Sequence, residues 1–529
     1  MTATTPSPAP IRQPLFRALW LASVVSNIGT TMNDTAAIWT MATLTPSPLM
    51  ISLMQTMSSL PLFLLALPAG AMADLVDRRK LILVAQGGAL LTAAGMAVLA
   101  LRGGLNAPLL LLATFQLGIA TAFTTPAWQA MLPEIVGKPQ LSAALAMQSI
   151  GFNTARSLGP VVGGLLVASL GPAPVFALNA LSFVAILAVM WNPAYGAAPR
   201  SVQQEQMIGA MTAALRYTSH APAMRAVLAR AALHIFAAVA PLTLLPVLVR
   251  QQHGSGSVFG MLMGCYGGGA ILTAVFLLPK MRARFSFDRV LTTACLCSAG
   301  AAVLLAFAPN TLAMGAILLV SGGGWMSALN TLSVAAQSVF PNWVRARSSA
   351  IYLVAAQGAL ALGALTWGRV TADFGSTPAL CAAAAWLLVC AALDRWLPIS
   401  HVENLDLSPS SHWGGHDSLA NEPEPNDGPV LITIDYYIDP ADASAFRHAM
   451  RALRETRLRD GAFRSSLFHD LDNPKHFRET FLVGSWAEHL RQHTRATIED
   501  KRIEEAVVAY HRGPEPPKVR HFLMTNLRD

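Results

Sequence analysis

Charge is scarce in this chain. Only 12% of its 529 residues are Asp, Glu, Lys or Arg, against 53% apolar, a balance that fits a many-span membrane protein with a soluble appendage rather than a globular enzyme. Cysteine is scarce as well. The five thiols, Cys265, Cys295, Cys297, Cys381 and Cys390, all fall inside apolar stretches and form no CxxC pair, so neither a disulfide framework nor a zinc site is suggested. No GxxxxGK[ST] loop occurs, which excludes ATP as a driving force supplied by this chain. The opening MTATTPSPAP is polar and has no basic n-region, so the first apolar stretch is expected to stay in the mature protein rather than act as a signal peptide.

What fills residues 1–398 instead is a series of long apolar stretches. A bilayer core about 30 Å thick needs roughly 20 mostly apolar residues per helical span, because unpaired backbone groups are too costly in hydrocarbon. The pattern predicts twelve spans, near 18–41, 48–72, 80–102, 107–132, 140–170, 173–192, 223–250, 256–280, 288–308, 311–338, 346–371 and 376–398. With the N-terminus cytoplasmic, the inner segments hold sixteen basic residues, Arg12, Arg78, Arg79, Lys80 and Lys138 among them, and the outer loops hold only Arg102, Arg250 and Arg369. That asymmetry predicts both termini, and the tail, inside a cytoplasmic (inner) membrane.

Composition changes abruptly after Pro398. Ten of thirteen histidines and twenty-one of twenty-nine acidic residues follow it, so the formal charge splits into +13 for the membrane part and −5 for the tail. The basic residues border a bilayer, where they orient the protein and meet anionic lipid, and no nucleic-acid partner is expected. Residues 399–428 have the Ser, Pro, Gly and Asn content of a flexible linker. From 429 to 529 the order reads strand, helix, strand, strand, helix, strand, the ferredoxin-like arrangement.

The membrane part reads as two halves, 1–192 and 223–398, joined by a polar cytoplasmic stretch, 193–222. QAMLPEIV from Gln129 is echoed by QSVFPNWV from Gln337, Asp77-Arg78 by Asp288-Arg289, and Gly159, Gly164 and Gly171 by Gly363, Gly368 and Gly375. Parallel six-span repeats are a known transporter plan, with substrate held between the halves near the midplane. The fold expected is therefore an all-α polytopic membrane protein of twelve helices in two six-helix halves, plus a C-terminal α+β ferredoxin-like domain.

On these residues the chain resembles the major facilitator superfamily. The superfamily's loop motif is matched in GAMADLVDRRK by Gly70, Asp74, Arg78, Arg79 and Lys80, with departures at Leu75 and Asp77. The resemblance implies that this loop controls the inward gate through charge contacts between helices. LGPVVGG in the fifth span resembles the end of the antiporter motif, matched by Gly159, Pro160, Gly163 and Gly164. Small residues there allow close helix approach, whether for rocking or for ordinary tight packing. Many proton-driven exporters of the superfamily carry an arginine four residues before a glycine in the fourth span, where this chain has Thr114 before Gly118. With the tail, which looks like the dimeric α/β-barrel domains of small monooxygenases, the whole resembles the transmembrane secretion effector branch, relatives of the enterobactin exporter.

Charged groups at membrane depth cost on the order of 3 kcal/mol each and mark wet cavities or pairs. Asp34 in the first span and Arg156 in the fifth sit at similar depth when counted from the cytoplasmic ends, which leaves an ion pair open, with Asn33 and Asn153 as polar neighbours. The plainer alternative is that Arg156 braces helix ends and Asp34 caps an outer turn. Arg230 and His234 lie one turn apart at the start of the seventh span, Arg230 read as reaching the inner surface and His234 as bonding a neighbour. In the tail, His489 and His493 could hold a metal, and Trp486, His469 and Arg478 could line a pocket; a solvated face explains them as well. The reading is an ion-coupled exporter of a small organic molecule such as a siderophore, drug or secondary metabolite, driven by a proton or other ion gradient. It is not an enzyme, needs no cofactor or resident metal, and has a tail able to dimerise. The alternatives are an oxygenase-like or ligand-sensing tail coupled to a transporter, or an importer.

Overall fold

Proline opens several of the long helices, in the first turn where its missing N–H has no partner to lose. α1 (Pro14–Leu44), α2 (Pro48–Leu75), α4 (Ala107–Val136) and α6 (Pro172–Met190) start this way, with α3 (Arg78–Leu101) and α5 (Leu141–Leu170) between them. The side chains of Ser47, Asp77 and Asn106 accept free N–H groups at the starts of α2, α3 and α4. Gly171, at φ +79°, ends α5 and opens α6 in a backbone conformation that only glycine adopts freely.

The computed structural model describes residues 10–195, 215–341, 345–399, 405–410 and 423–525. The inter-half stretch 196–214, including its expected amphipathic course, and most of the 399–428 linker lie outside the described residues. In the second half the seventh span is two helices, α7 (Pro222–Ala238) and α8 (Ala240–Gln251). The eighth joins α9 (Gly256–Leu272) through a π-helical turn, Thr273–Leu277, to α10 (Leu278–Arg282). α11 (Phe287–Ala306), α12 (Thr311–Ser338), α13 (Arg345–Phe374) and α14 (Ser376–Ala392) complete the set. Among the described residues ten spans are long and apolar enough to cross a membrane. The two other long helices, α1 and α5 with 31 and 30 residues, are those that carry Asp34 and Arg156.

Contacts divide the chain into two units. The first, Met1–Gln204, Leu228–Ser333 and Tyr352–Pro398, holds the membrane helices; the second, Glu205–Val227, Val334–Ile351 and Ile399–Asp529, holds the tail. In the first unit α1 packs on α5 and α6, α2 on α4, and α11 on α14, while α5 packs on α9 across the halves. Trp39, Phe176, Phe259, Trp325 and Trp367 belong to its main buried cluster.

In the second unit β1 (Val430–Tyr437), α15 (Ala443–Asp460), β2 (Ala462–His469), β3 (His476–Val483), α16 (Trp486–Arg495), α17 (Ile498–Val508) and β4 (Lys518–Leu523) follow in order. The sheet runs β2-β3-β1-β4 with every neighbour antiparallel, which is the strand order of a βαββαβ fold. The second helix is broken in two because Thr497 starts a new one, forming a capping box with Asp500. Alternate residues of β1, Val430, Ile432, Ile434 and Tyr436, face Phe446 and Met450 of α15 in the core. Within that core Glu479 is fully buried, accepting from Arg457 Nε at 3.1 Å and from the Tyr436 hydroxyl at 3.2 Å.

Two short pieces that the sequence assigned to the membrane part and to the inter-half stretch belong with the tail. Residues 215–220 are helical, and Tyr217, 2% exposed, donates to the Val339 carbonyl at 3.0 Å and lies beneath the Arg459 guanidinium. Arg216 pairs with Glu488 at 2.9 Å and His220 meets Glu455 at 2.9 Å. Although burial alone would raise the Glu488 carboxyl, Arg495 and Arg216 outweigh it and hold its pKa below the ordinary value.

Candidate functional site

The two halves meet on a seam of glycines that is built twice. On α5, a Cβ at Gly159 would collide with Thr31 of α1, and one at Gly163 would lie 2.7 Å from the Met32 carbonyl. One residue on, Gly164 faces the other half, where a Cβ would lie 2.8 Å from the carbonyl of Gly256 and against the backbone of Gly260 on α9. α13 repeats the pattern: Gly363 abuts the Phe236 carbonyl of α7 in its own half, and Gly368 abuts Ser52 of α2 in the other. Each half thus uses its fifth helix to touch its own first helix and the partner half's second.

Polar and aromatic contacts reinforce one end of this seam. Thr56 Oγ1 donates to the Ala361 carbonyl at 3.0 Å, Arg250 donates to the Thr45 carbonyl at 2.8 Å and to that of Ala42, and Trp39 stacks on Phe259 at 5.7 Å. These lie toward the C-terminal ends of α1 and α8 and the N-terminal ends of α2 and α9, with Ala361 midway along α13, and so toward one side of the membrane. Below that seal Arg156 is exposed, although Gly159, Pro160 and Gly163 on the same helix face are buried.

Asp34 and Arg156 form no ion pair among the described residues. α1 and α5 run parallel, with Gly151 against Val24 and Gly159 against Thr31, so Arg156 is level with about residues 28–29. Asp34 stands five to six residues further toward the seal, about 8 Å at a 1.5 Å rise. The Arg156 guanidinium sits 5.7 Å from the Phe152 ring centre. Asn33 Oδ1 is buried without a partner. Asn153 bonds the Ser149 carbonyl of its own helix at 2.8 Å.

The loop after α2 is tied into its own half. Arg78 donates to the Ala73 carbonyl at 3.0 Å and to Glu134 at 2.5 Å. Arg79 donates to the carbonyls of Met190 and Trp191 at 2.6 Å each, closing the C-terminal end of α6 where a cation suits the helix dipole. Asp77, standing where the superfamily motif has glycine, caps α3 by accepting from Arg79 N at 2.9 Å. Lys80 is exposed, a Cβ on Gly70 would meet nothing within 4 Å, and the side chain of Asp74 lies outside the described residues. Glu134 is helical, since α4 runs on to Val136. In the second half Arg230 does not reach for the surface: it is 3% exposed and pairs with Asp288 of α11, and His234 meets Cys295 Sγ at 3.2 Å.

Over residues 5–528 the chain matches the family described as transmembrane secretion effector. It belongs to that family. Among curated relatives it is 29% identical over 223 residues to the multidrug efflux pump Tap of Mycolicibacterium fortuitum, covering 40% of this chain and 54% of Tap. It is 27% identical over 267 residues to the enterobactin exporter EntS of Citrobacter koseri, covering 50% and 62%. Against the staphyloferrin A transporter of Staphylococcus aureus it is 27% identical over 225 residues, covering 42% and 56%. The matches thus span about half to three fifths of those relatives' lengths. Among solved structures, a bacterial homolog of the human lysosomal transporter Spinster, inward-facing and unoccupied, superposes with TM-score 0.60 at 15% identity, covering 75% of this chain and 98% of that one. A POT family transporter gives 0.59 at 11% identity, covering 72% and 96%. Both likenesses are of fold: this secretion effector has the major facilitator fold and is a multi-pass membrane protein.

The tail residues singled out in the sequence are not one site. His489 is buried, with its Nε2 3.0 Å from His521 Nε2 and its ring 4.8 Å from that of His493, beside Trp486. His469 stacks on Phe477, and Arg478 pairs with Asp435 at 2.6 Å on the other face of the sheet. His521 was missed because it sits in β4, thirty-two residues from His489. No group of three or more His, Cys, Asp or Glu placed to hold a metal is found among the described residues.

Proposed function

We propose that this chain is a secondary active transporter that exports a small organic molecule by alternating access, driven by a proton or other ion gradient. The observation that carries the reading is the doubled glycine seam, which brings the fifth helix of each half into close contact with the second helix of the other. With both termini cytoplasmic, as the basic residues favour, the seal is on the outer side and the cavity opens inward. Export is the direction named for the multidrug efflux pump and the enterobactin exporter. Asp34, Asn33, Asn153 and Arg156 are the candidate cavity and coupling residues, and the Gly70 to Lys80 loop is the candidate inner gate.

Comparative mass spectrometry of spent medium and cell extract, with and without the chain, tests this. Export expects a compound that disappears from the medium and accumulates in cells lacking the chain; unchanged levels of every compound contradict it.

A second reading concerns the tail. The grip on Arg216, Tyr217 and His220, immediately before α7, favours a module that adjusts transport over a tethered enzyme. A chain ending at Pro398 should then export the same compound at an altered rate, and an unaltered rate argues against the coupling.

A further inference from the structure

We propose that the cargo carries an anionic, oxygen-bearing group, which Arg156 of the first half binds together with Tyr266 and Trp325 of the second. This deepens the export reading and rests on it.

Arg156 is an exposed cation on α5, one turn before the buried Gly159 and Pro160. Acidic groups of the membrane part have partners of their own. Glu134, Asp288 and Asp373 are paired with Arg78, Arg230 and Arg369, Asp77 caps α3, and Asp34 stands about 8 Å further along α1. Across the seam Tyr266, 6% exposed, has a buried hydroxyl without a partner, and Trp325, 6% exposed, has a buried indole N–H without one. Their helices touch here: Gly322, three residues before Trp325, has no Cβ to clear the Tyr266 main chain. Both rings lie in the main core cluster, and α5 meets α9 close by: Val161, five residues after Arg156, packs on Gly264, two residues before Tyr266.

A guanidinium, a phenol and an indole together present N–H and O–H donors and one fixed positive charge. That set suits a carboxylate or other oxyanion, whose bonds to an ionised donor are among the strong ones, and it repels a cation. Because the donors come from both halves, a bound anion bridges them and favours their drawing together, the step alternating access needs. Asn33 and Asp34 remain further toward the seal, available for coupling.

The test uses the native host expressing the full chain at matched membrane levels as wild type, a deletion, Arg156→Gln, Arg156→Lys and Tyr266→Phe, with mass spectrometry of medium and cells. The compound retained on deletion is expected to be an anion at neutral pH. Arg156→Gln should retain it as strongly as the deletion, Arg156→Lys should restore part of its export, and Tyr266→Phe should slow export severalfold. A retained compound that is neutral or cationic, or wild-type export by both Arg156→Gln and Tyr266→Phe, overturns the anion site and leaves the export reading standing. If deletion changes no compound, the export reading itself fails, and this inference with it. Tyr266→Phe removes one unpartnered oxygen and keeps the test decisive should Arg156→Gln not reach the membrane.

Discussion

Replacing Gly164 by alanine should push the carrier out of the state described here. The new Cβ would lie 2.8 Å from both the Gly256 carbonyl oxygen and the Gly260 nitrogen, roughly 0.7 to 1.2 Å inside normal contact of about 3.5–4.0 Å. Backbone atoms cannot rotate aside, so the helices must part, and overpacking of this kind costs about 1–3 kcal/mol. The clash exists only while this end is closed, so the cost falls on that state alone. A differential of that size shifts the equilibrium about 5- to 150-fold toward the opposite state. Spin labels at exposed Met50 and Gln252, on either side of the seal in a cysteine-substituted background, read it out as a growing long-distance population. Gly368→Ala, which meets Ser52, should act alike, while Gly95→Ala, with nothing within 4 Å, should not. An unchanged distribution in Gly164→Ala, or an equal shift in Gly95→Ala, would refute the reasoning.

Three further outcomes are expected. Asp288→Ala leaves Arg230 buried and unneutralised, which costs about 3–5 kcal/mol, so thermal unfolding in detergent should drop sharply and recover in part in the Asp288→Ala, Arg230→Met double variant; a mild single variant contradicts this. The Arg78–Glu134 pair is partly exposed, at 16% and 29%, so a double-mutant cycle on unfolding should give only about 0.2–1 kcal/mol, and a larger coupling would mean the pair does more than brace one half. Glu488 is held below the usual carboxylate value of about 4.3. Its contribution is therefore fully present above that pH and lost as pH falls through its lower folded value. Amide protection of residues 215–220 in the full chain, taken relative to the intrinsic exchange rate, should be full above the usual carboxylate value and fall away as the pH drops through the lower folded value of Glu488, and Arg216→Ala should reduce it even at neutral pH; pH-independent protection refutes the assignment.

Much of the fold is written in the pattern of apolar runs. Span length and the Asp77/Asp288 and Gly159/Gly363 echoes give the two halves because hydrocarbon demands continuous helices. The tail's order is legible because strand alternation in β1 and β3 differs from helical spacing in α15. Even the break between α16 and α17 was readable in Thr497-x-x-Asp500. The site was less so. Depth counted from helix ends brought Asp34 and Arg156 level, but the register of α1 on α5 is set by Gly151 on Val24 and Gly159 on Thr31, which no count from the ends reveals. Tyr266 and Trp325 lie in runs apolar on every face, and only packing shows that their polar atoms have no partner. Tyr217 looked like part of a connector until its neighbours on α15 and at Val339 were seen.

The most direct test of export is uptake of the compound retained by the deletion strain into inside-out membrane vesicles bearing the full chain. Accumulation against its own gradient when the vesicle interior is made acid, absent in Asp34→Asn at equal protein, is the predicted result. Accumulation only in right-side-out vesicles, or uptake indifferent to every imposed ion gradient, would contradict an ion-coupled exporter.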